Sequence, residues 1–235
     1  YVYNGDNLAV TDVVTTSSKQ HALRTVYKYP HDFGAVEPYK TMVTKNNVRP
    51  VIEQVDYNDT ELQLIRRIRT NYKNWGNEVI EPELIQVQNG TQGFLESRIT
   101  YHSYDSRGNI TEVSRTDDSP KTYIWGYNGV YPVAETVGSD YATVTSFVNL
   151  DMLKDAAQYS DQQIRNELDK IRLGLFSFGR PFSITTYTYD PLVGMTSKTD
   201  SNGKTTYYEY SNGRLIAIRD HEFNIVKAYD YHYRK

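Results

Sequence analysis

Over the last third of the chain, apolar and polar positions alternate with period 2, the spacing of a half-buried strand. Aromatic pairs punctuate this alternation: Tyr187-Thr-Tyr189, Tyr208-Glu-Tyr210 and Tyr229-Asp-Tyr231, each pair 21 residues after the one before. Turn signals fall between them, Asp200-Ser-Asn-Gly203 and Ser211-Asn-Gly213. Asn-Gly between alternating runs is a strong hairpin signal, because type I′ turns need positive φ at both central residues. The pattern predicts strands near 184–189, 194–199, 204–210, 214–219 and 225–233, an antiparallel meander with the Tyr pairs on one pleat face. Whether that face meets core or solvent is open at this level, since a slip of one residue exchanges the faces.

Upstream, Tyr104-Asp-Ser-Arg-Gly-Asn-Ile-Thr-Glu-Val113 repeats the order of aromatic, turn and alternating strand, with strands predicted near 94–103 and 121–125. The first 95 residues read as irregular β, with strand-like runs at Val10–Thr16, His21–Tyr29, Val48–Tyr57 and Glu61–Tyr72. In the last run Leu62, Leu64 and Arg66 face one way, and Gln63, Ile65 and Arg67 the other. Pro30, Pro38, Pro50 and Pro82 are expected at joints, since proline cannot donate within a central strand. Between Ser139 and Leu175 the period becomes helical. Ile164, Leu168, Ile171 and Leu175 form one apolar stripe, and Ser160-Asp-Gln-Gln163 fits a capping box. Ser139 and Asn149 are the expected caps of two shorter helices before it, and Gly179-Arg-Pro181 closes the segment.

Composition sharpens this picture. The 235 residues include 22 Tyr, 7 Phe and 2 Trp, which suits pleated, half-buried surfaces. The balance of 26 Lys+Arg against 29 Asp+Glu, net charge -3, lacks the basic excess of a nucleic-acid footprint. A mean hydropathy of -0.65 and no apolar run near 18 residues exclude a helical membrane span. With no Cys there is no disulfide, thiolate zinc site or thiol nucleophile. No charged leader with an apolar core opens the sequence.

Candidate chemistry is sparse. The histidines at 21, 31, 102, 221 and 232 make no metal-ligand spacing, and His31-Asp32 before Gly34 reads as a turn as readily as a dyad. Asp105, Asp117, Asp118, Asp190, Asp200 and Asp220 all fall at predicted turns, where Asp ordinarily bonds its own backbone. A pair of them across a cleft is the enzymatic alternative. Asp200-Ser-Asn-Gly203 resembles half a calcium loop but lacks the remaining ligands. The leading candidates are aromatic: Trp125, Tyr127 and Tyr131 around Gly126 and Gly129, and Trp75 before Gly76. Such rings suit stacking on a sugar or packing on a partner; the competing reading is that they fill the core. No metal or cofactor is expected.

Together these residues resemble the YD-repeat (Rhs-type) family of exported bacterial proteins. Tyr104-Asp105-Ser-Arg-Gly108-Asn109-Ile110 matches the motif without gaps. Tyr189-Asp-Pro-Leu-Val-Gly194 is one residue longer, and Tyr210-Ser-Asn-Gly213-Arg-Leu215 is one shorter and lacks the Asp. Tyr123-Ile-Trp-Gly-Tyr-Asn-Gly-Val-Tyr-Pro132 and the Tyr187–Tyr233 tail look like segments of Bacteroidetes members. The resemblance covers roughly 95–235. It implies secretion or surface display, hairpin repeats curling into sheets or shells, and sugar binding or toxin packaging. Family shells that package toxins end on an Asp-Pro cleavage segment before the toxin; Asp190-Pro191 here lies inside a hairpin, so no cargo domain is expected.

The resulting expectation is a mainly β chain of antiparallel hairpin repeats forming a curved extended sheet, with a helical insertion covering one face. Its parts are a β-rich repeat region at 1–138, the insertion at 139–178 and hairpin repeats at 179–235, read as one continuous domain. The function expected is a non-enzymatic exported bacterial scaffold or binding module. Its expected partners are glycans or another surface protein, with edge-strand contact to upstream repeats. The alternatives are a polysaccharide-acting enzyme and a shell fragment of a toxin-delivery protein.

Overall fold

The computed structural model describes residues 1–5, 8–16, 22–59, 63–91, 93–179 and 181–231. His21, Glu61, Leu62, Arg180, His232 and Tyr233, which figure in the sequence reading, lie outside the described residues. The chain divides into two compact units, Tyr1–Gly108 with Ser114–Asp117 and Asn109–Val113 with Asp118–Lys235. The protein is mainly β, and among the described residues all its strand pairings are antiparallel, each between strands consecutive in the chain.

The first unit contains β1 (Val2–Tyr3), β2 (Val10–Thr16), β3 (Ala22–Lys28), β4 (Glu53–Asn58), β5 (Gln63–Asn74), β6 (Ile80–Asn89) and β7 (Glu96–Tyr104). The strand expected from Val48 begins only at Glu53. Between β3 and β4 the chain makes a 3-10 turn at Pro30–Phe33 and a short helix, α1 (Tyr39–Thr44). The proline spacing did not announce that helix, because six residues are too few for a period to show. Tyr39 and Met42 of α1 pack with Ile52, Ile80, Phe33 and Tyr72 into a small apolar cluster. Elsewhere this unit buries charge: Glu53, 5% exposed, ion-pairs Lys28 at 2.9 Å and faces Arg67 at 3.8 Å. Pro82 does not mark a joint. It sits inside β6 opposite Tyr72, where the β5–β6 register shifts between Asn71 and Tyr72, and such an irregularity is where a strand tolerates a residue without an N–H.

The second unit holds residues 110–113 of β8 (Ile110–Arg115), then β9 (Lys121–Gly126) and β10 (Tyr131–Val137). Three helices follow, α2 (Tyr141–Thr145), α3 (Leu150–Lys154) and α4 (Asp161–Ser177). The unit ends with β11 (Ser183–Asp190), β12 (Gly194–Thr199), β13 (Thr205–Ser211), β14 (Arg214–Arg219) and β15 (Ile225–Ala228). The helices pack on β9 and β11. The stripe read from the sequence is the buried face of α4: Ile164, Leu168, Ile171 and Leu175 meet Ile124, Val133, Val144, Leu153 and Ile184 in the main core. Each such side chain contributes about 1.5–3 kcal/mol by leaving water. Ser160 accepts from the Gln163 N–H while the Gln163 side chain accepts from the Ser160 N–H, completing the predicted box. Asn149 caps α3 as expected, accepting from the Met152 N–H at 3.1 Å. Ser139 does not cap α2. Asp140 does, accepting from the Thr143 N–H at 2.8 Å, while the Ser139 carbonyl is taken by the Thr122 hydroxyl.

Candidate functional site: the helix-free aromatic face

Strand alternation divides the side chains of the second unit cleanly. Thr122, Ile124 and Gly126 of β9, Ile184, Thr186 and Thr188 of β11, and Ser197 and Thr199 of β12 are buried on the helical side. The residues between them point the other way: Lys121, Tyr123 and Trp125, then Thr185, Tyr187 and Tyr189, then Lys198. On β13 the same side carries Thr206, Tyr208 and Tyr210. The Tyr rows therefore line the face that the helices leave uncovered, and they are half-buried.

Register makes the array regular. Tyr123 lies opposite Glu135, and Glu135 opposite Thr185. Tyr187 lies opposite Lys198, and Lys198 opposite Thr206. Tyr208 lies opposite Ile218, and Ile218 opposite Lys227. Each time, the next ring stands two residues beyond the end of the row: Tyr187 after Thr185, Tyr208 after Thr206, Tyr229 after Lys227. Four tyrosines thus form a diagonal across β9, β11, β13 and the end of β15. Strand spacing and rise per residue put its step at about 12 Å. Tyr123-Ile-Trp125 is a fourth aromatic pair, separated from the 21-residue series by the helical insertion.

The two rings of a pair have different work. The second reaches back over the preceding hairpin to a backbone carbonyl: Trp125 Nε1 donates to Ile110 at 2.8 Å, Tyr210 Oη to Met195 at 3.1 Å and Tyr231 Oη to Leu215 at 2.9 Å. In the first unit Tyr104 Oη donates likewise to Pro82, at 2.9 Å. This clamp explains the glycine at the head of β12. A Cβ at Gly194 would stand 2.6 Å from the Tyr210 hydroxyl, and the backbone there has φ +154°. At the equivalent place in the next hairpin Arg214 holds its guanidinium 5.9 Å from the Tyr231 ring centre. Tyr189 departs from the scheme: it stacks on Tyr131 at 4.6 Å and meets Tyr127 edge-on at 5.7 Å.

The aromatic candidates from the sequence fall in three settings. Trp125 is half-buried on the helix-free face with its indole N–H committed to Ile110. Tyr127 is buried, in the left-handed region at φ 51°, and its hydroxyl accepts the Tyr189 N–H at 2.8 Å. Burial raises the Tyr127 phenol above its ordinary value and pushes Tyr189 up to about 12. Tyr131 stacks beside them, and the three rings stand at one end of the core. A surface groove of about 360 Å³ opens there, lined by Tyr127, Tyr131, Lys154 and Leu192 among others. In the first unit, Trp75 donates its indole N–H to Glu81 at 3.2 Å, packs on Tyr104 at 5.1 Å and carries the Lys73 ammonium 4.5 Å above its ring.

Four of the six turn carboxylates bond their own loops. Asp105 accepts from the Arg107 N–H, Asp118 from Ser119, Asp200 from Asn202 and Lys204, and Asp220 from Glu222 and Asn224. The loops at 200 and 220 are superposable in their bonding, each also closed by an N–H from the fourth residue to the Asp carbonyl. Where the first has Gly203 at φ +78°, the second has Phe223 at φ 65°. Asp32 accepts the Tyr29 N–H at 2.8 Å within its turn, with His31 Nε2 3.6 Å away. Among the described residues no three His, Asp or Glu are grouped to hold a metal, and no helix is long and apolar enough to cross a membrane.

No protein-family model matches the chain, and no curated protein matches it. Among solved structures it is similar to TcdB2-TccC3 without its hypervariable C-terminal region, at 10% identity and a TM-score of 0.42 over 88% of this chain and 11% of that one. The Photorhabdus luminescens Tc holotoxin pore gives the same values. The TcdB2-TccC3-Cdc42 complex matches at 10% identity and a TM-score of 0.34, over 97% of this chain and 14% of that one. The chain spans about a tenth of the length of the first two.

Proposed function

We propose that the chain is a non-enzymatic scaffold and binding module of an exported bacterial repeat protein, and that its second unit presents the helix-free aromatic face to glycans. The supporting observation is the diagonal of Tyr123, Tyr187, Tyr208 and Tyr229, rings repeated at one step on the face opposite the helices. In three of the four pairs the second ring clamps the preceding hairpin, which leaves the first to offer a flat, polar-edged surface suited to sugar rings. Four of the turn carboxylates, Asp105, Asp118, Asp200 and Asp220, are held by backbone N–H groups, which favours structure over acid–base work. The YD-repeat resemblance accords with export and with sugar binding.

The test follows intrinsic Trp fluorescence and reducing-end release together across plant, host and bacterial polysaccharides. A fluorescence change without release, lost in Tyr187→Ala and Tyr208→Ala while circular dichroism is kept, supports the reading; release of reducing ends overturns it. A second reading, a piece of a toxin-delivery shell, is favoured by the apolar side chains that the end of the helical layer leaves exposed, Leu173, Phe176 and Phe178. Silence across the panel, with a polypeptide captured through that patch, would favour it.

A further inference from the structure

In the first unit a pocket of about 340 Å³ opens between the end of α1, the β5–β6 turn and the Asp105–Gly108 turn that leads into β8. Four charged side chains line it: Lys45, Glu78, Glu81 and Arg107. Two of them are spent on each other, Glu78 ion-pairing Lys45 at 3.1 Å. The turn that carries Glu78 is strained, with Asn77 and Glu78 both left-handed at φ 48° and 66°, a conformation that such residues keep only where their surroundings impose it. Glu81 and Arg107 are not spent. Lys73 lies directly across the sheet from Glu81, but its ammonium goes to Glu83 at 2.9 Å and to the Trp75 ring at 4.5 Å. Among the described residues the half-buried Glu81 carboxylate is left with neither a cation nor a hydrogen-bond donor, and burial raises it above its ordinary value. The exposed Arg107 guanidinium likewise has no partner among the described residues; only its backbone N–H is bonded, to Asp105. The two groups are close, since a Cβ at Gly108, the residue after Arg107, would stand 3.4 Å from Glu81 Oε1. Opposite charges thus line one pocket without pairing.

We propose that this pocket binds a free α-amino acid as its zwitterion, the ammonium on Glu81 and the carboxylate on Arg107. A carboxylate drawn out of water without a counter-ion gains strongly from a bound cation. A guanidinium meets a carboxylate through two parallel N–H donors. Because Glu81 reaches the residue beside Arg107, the two charges of the ligand must lie close together, as they do on an α-amino acid and do not at the separated ends of a peptide. The buried Met42 and Ile80, with Val79, give its side chain an apolar wall. The volume is at the lower end of the about 300–1,000 Å³ of small-ligand pockets, which is room for one small molecule. None of these groups belongs to the aromatic face of the second unit, so the inference stands apart from the glycan reading.

The experiment screens the full chain against each common L-amino acid by saturation-transfer NMR and measures the affinity of those that bind by titration calorimetry. At least one amino acid is expected to bind, with its N-acetyl form, its carboxamide and γ-aminobutyrate each at least tenfold weaker. Glu81→Gln and Arg107→Gln should each weaken binding at least tenfold with circular dichroism unchanged, since neither charged group has a partner to lose. Binding of no amino acid, equal binding of the N-acetyl form or the carboxamide, or unchanged affinity in either variant overturns the inference.

Discussion

The clamp between Tyr210 and the head of β12 gives a sharp prediction, because two residues 16 positions apart depend on one another through a measurable clash. Gly194→Ala places a methyl 2.6 Å from Tyr210 Oη and 2.9 Å from its Cζ. The ring tip must swing away, and the swing breaks its 3.1 Å bond to the Met195 carbonyl. Losing that bond costs about 1 kcal/mol. The strained backbone and displaced ring add about 1–2 kcal/mol, so the single variant should lose about 2–3 kcal/mol. In a Tyr210→Ala background the three nearest atoms, all of the Tyr210 ring, are gone and the backbone term dominates. The pair should therefore couple by about 1 kcal/mol or more. Urea unfolding measures this, with Trp125 reporting on the second unit in a Trp75→Phe host. At a slope of about 2 kcal/mol/M each kcal/mol moves the midpoint by about 0.5 M. Additive losses, within about 0.5 kcal/mol, would refute the clamp as the reason for glycine at 194.

Other outcomes follow from the same structure. Leu168→Ala, at a fully buried position of α4, should cost about 2–5 kcal/mol, read as an earlier urea midpoint for Trp125. Phe223 pairs a left-handed backbone at φ 65° with a stack on Tyr207 at 4.5 Å. Phe223→Gly should be within about 1 kcal/mol of wild type, since released strain offsets the lost stack, whereas Phe223→Ala should lose about 1 kcal/mol more than the glycine variant. Burial alone would raise Glu167, but the Lys170 ammonium at 2.6 Å and the Asn149 N–H at 2.7 Å hold it below its ordinary value. A depressed carboxylate stabilises above its unfolded pKa and loses that contribution as pH falls through the folded one. Glu167→Gln should thus cost about 1–2 kcal/mol at pH 7 and progressively less as the pH is lowered into the acid range, measured as the difference between the two urea midpoints.

How much of this was legible depended on whether a signal was local. The turns at Asp200-Ser-Asn-Gly203 and Ser211-Asn-Gly213 and the stripe on α4 are written in adjacent residues, and β11 to β14 follow them closely. The Asp220 turn was expected between two strands, but its likeness to the Asp200 loop did not show, because Phe223 occupies the left-handed position that Gly203 holds in the other. The fourth aromatic pair at Tyr123 hid because α2 to α4 interrupt the 21-residue spacing. Neither α1 nor the place of Pro82 inside β6 follows from local pattern, since the first is too short for a period and the second depends on a register shift against β5. Among the proposed site residues, Trp125 was visible as an aromatic, but its commitment to Ile110 was not. The places of Lys198 opposite Tyr187 and Lys227 opposite Ile218 rest on cross-strand register, which composition does not carry.

The helical insertion is what makes the two faces unequal. A bare meander of this sequence would present Thr and Ser on one side and Tyr on the other, with neither side dry. Once α2 and α3 cover β9 and α4 covers β11, the hydroxyl-bearing side is sealed and a hydroxyl there can pair only internally. Thr188 pairs with Thr196 and Ser197, and Thr199 with Thr205, all within 2.8 Å, whereas the buried Thr136 hydroxyl finds no partner among the described residues. Each such bond contributes only about 1 kcal/mol, but leaving a sealed hydroxyl unpaired costs about 1–3 kcal/mol. The threonine ladder therefore fixes the register of β11 to β13 by penalty more than by attraction. A slip of one residue would seal the tyrosines under α4 and strand the lysines with them. The same register that satisfies the inner hydroxyls thereby sets the spacing of the outer rings, so the geometry of the outer face is held by residues that do not lie on it.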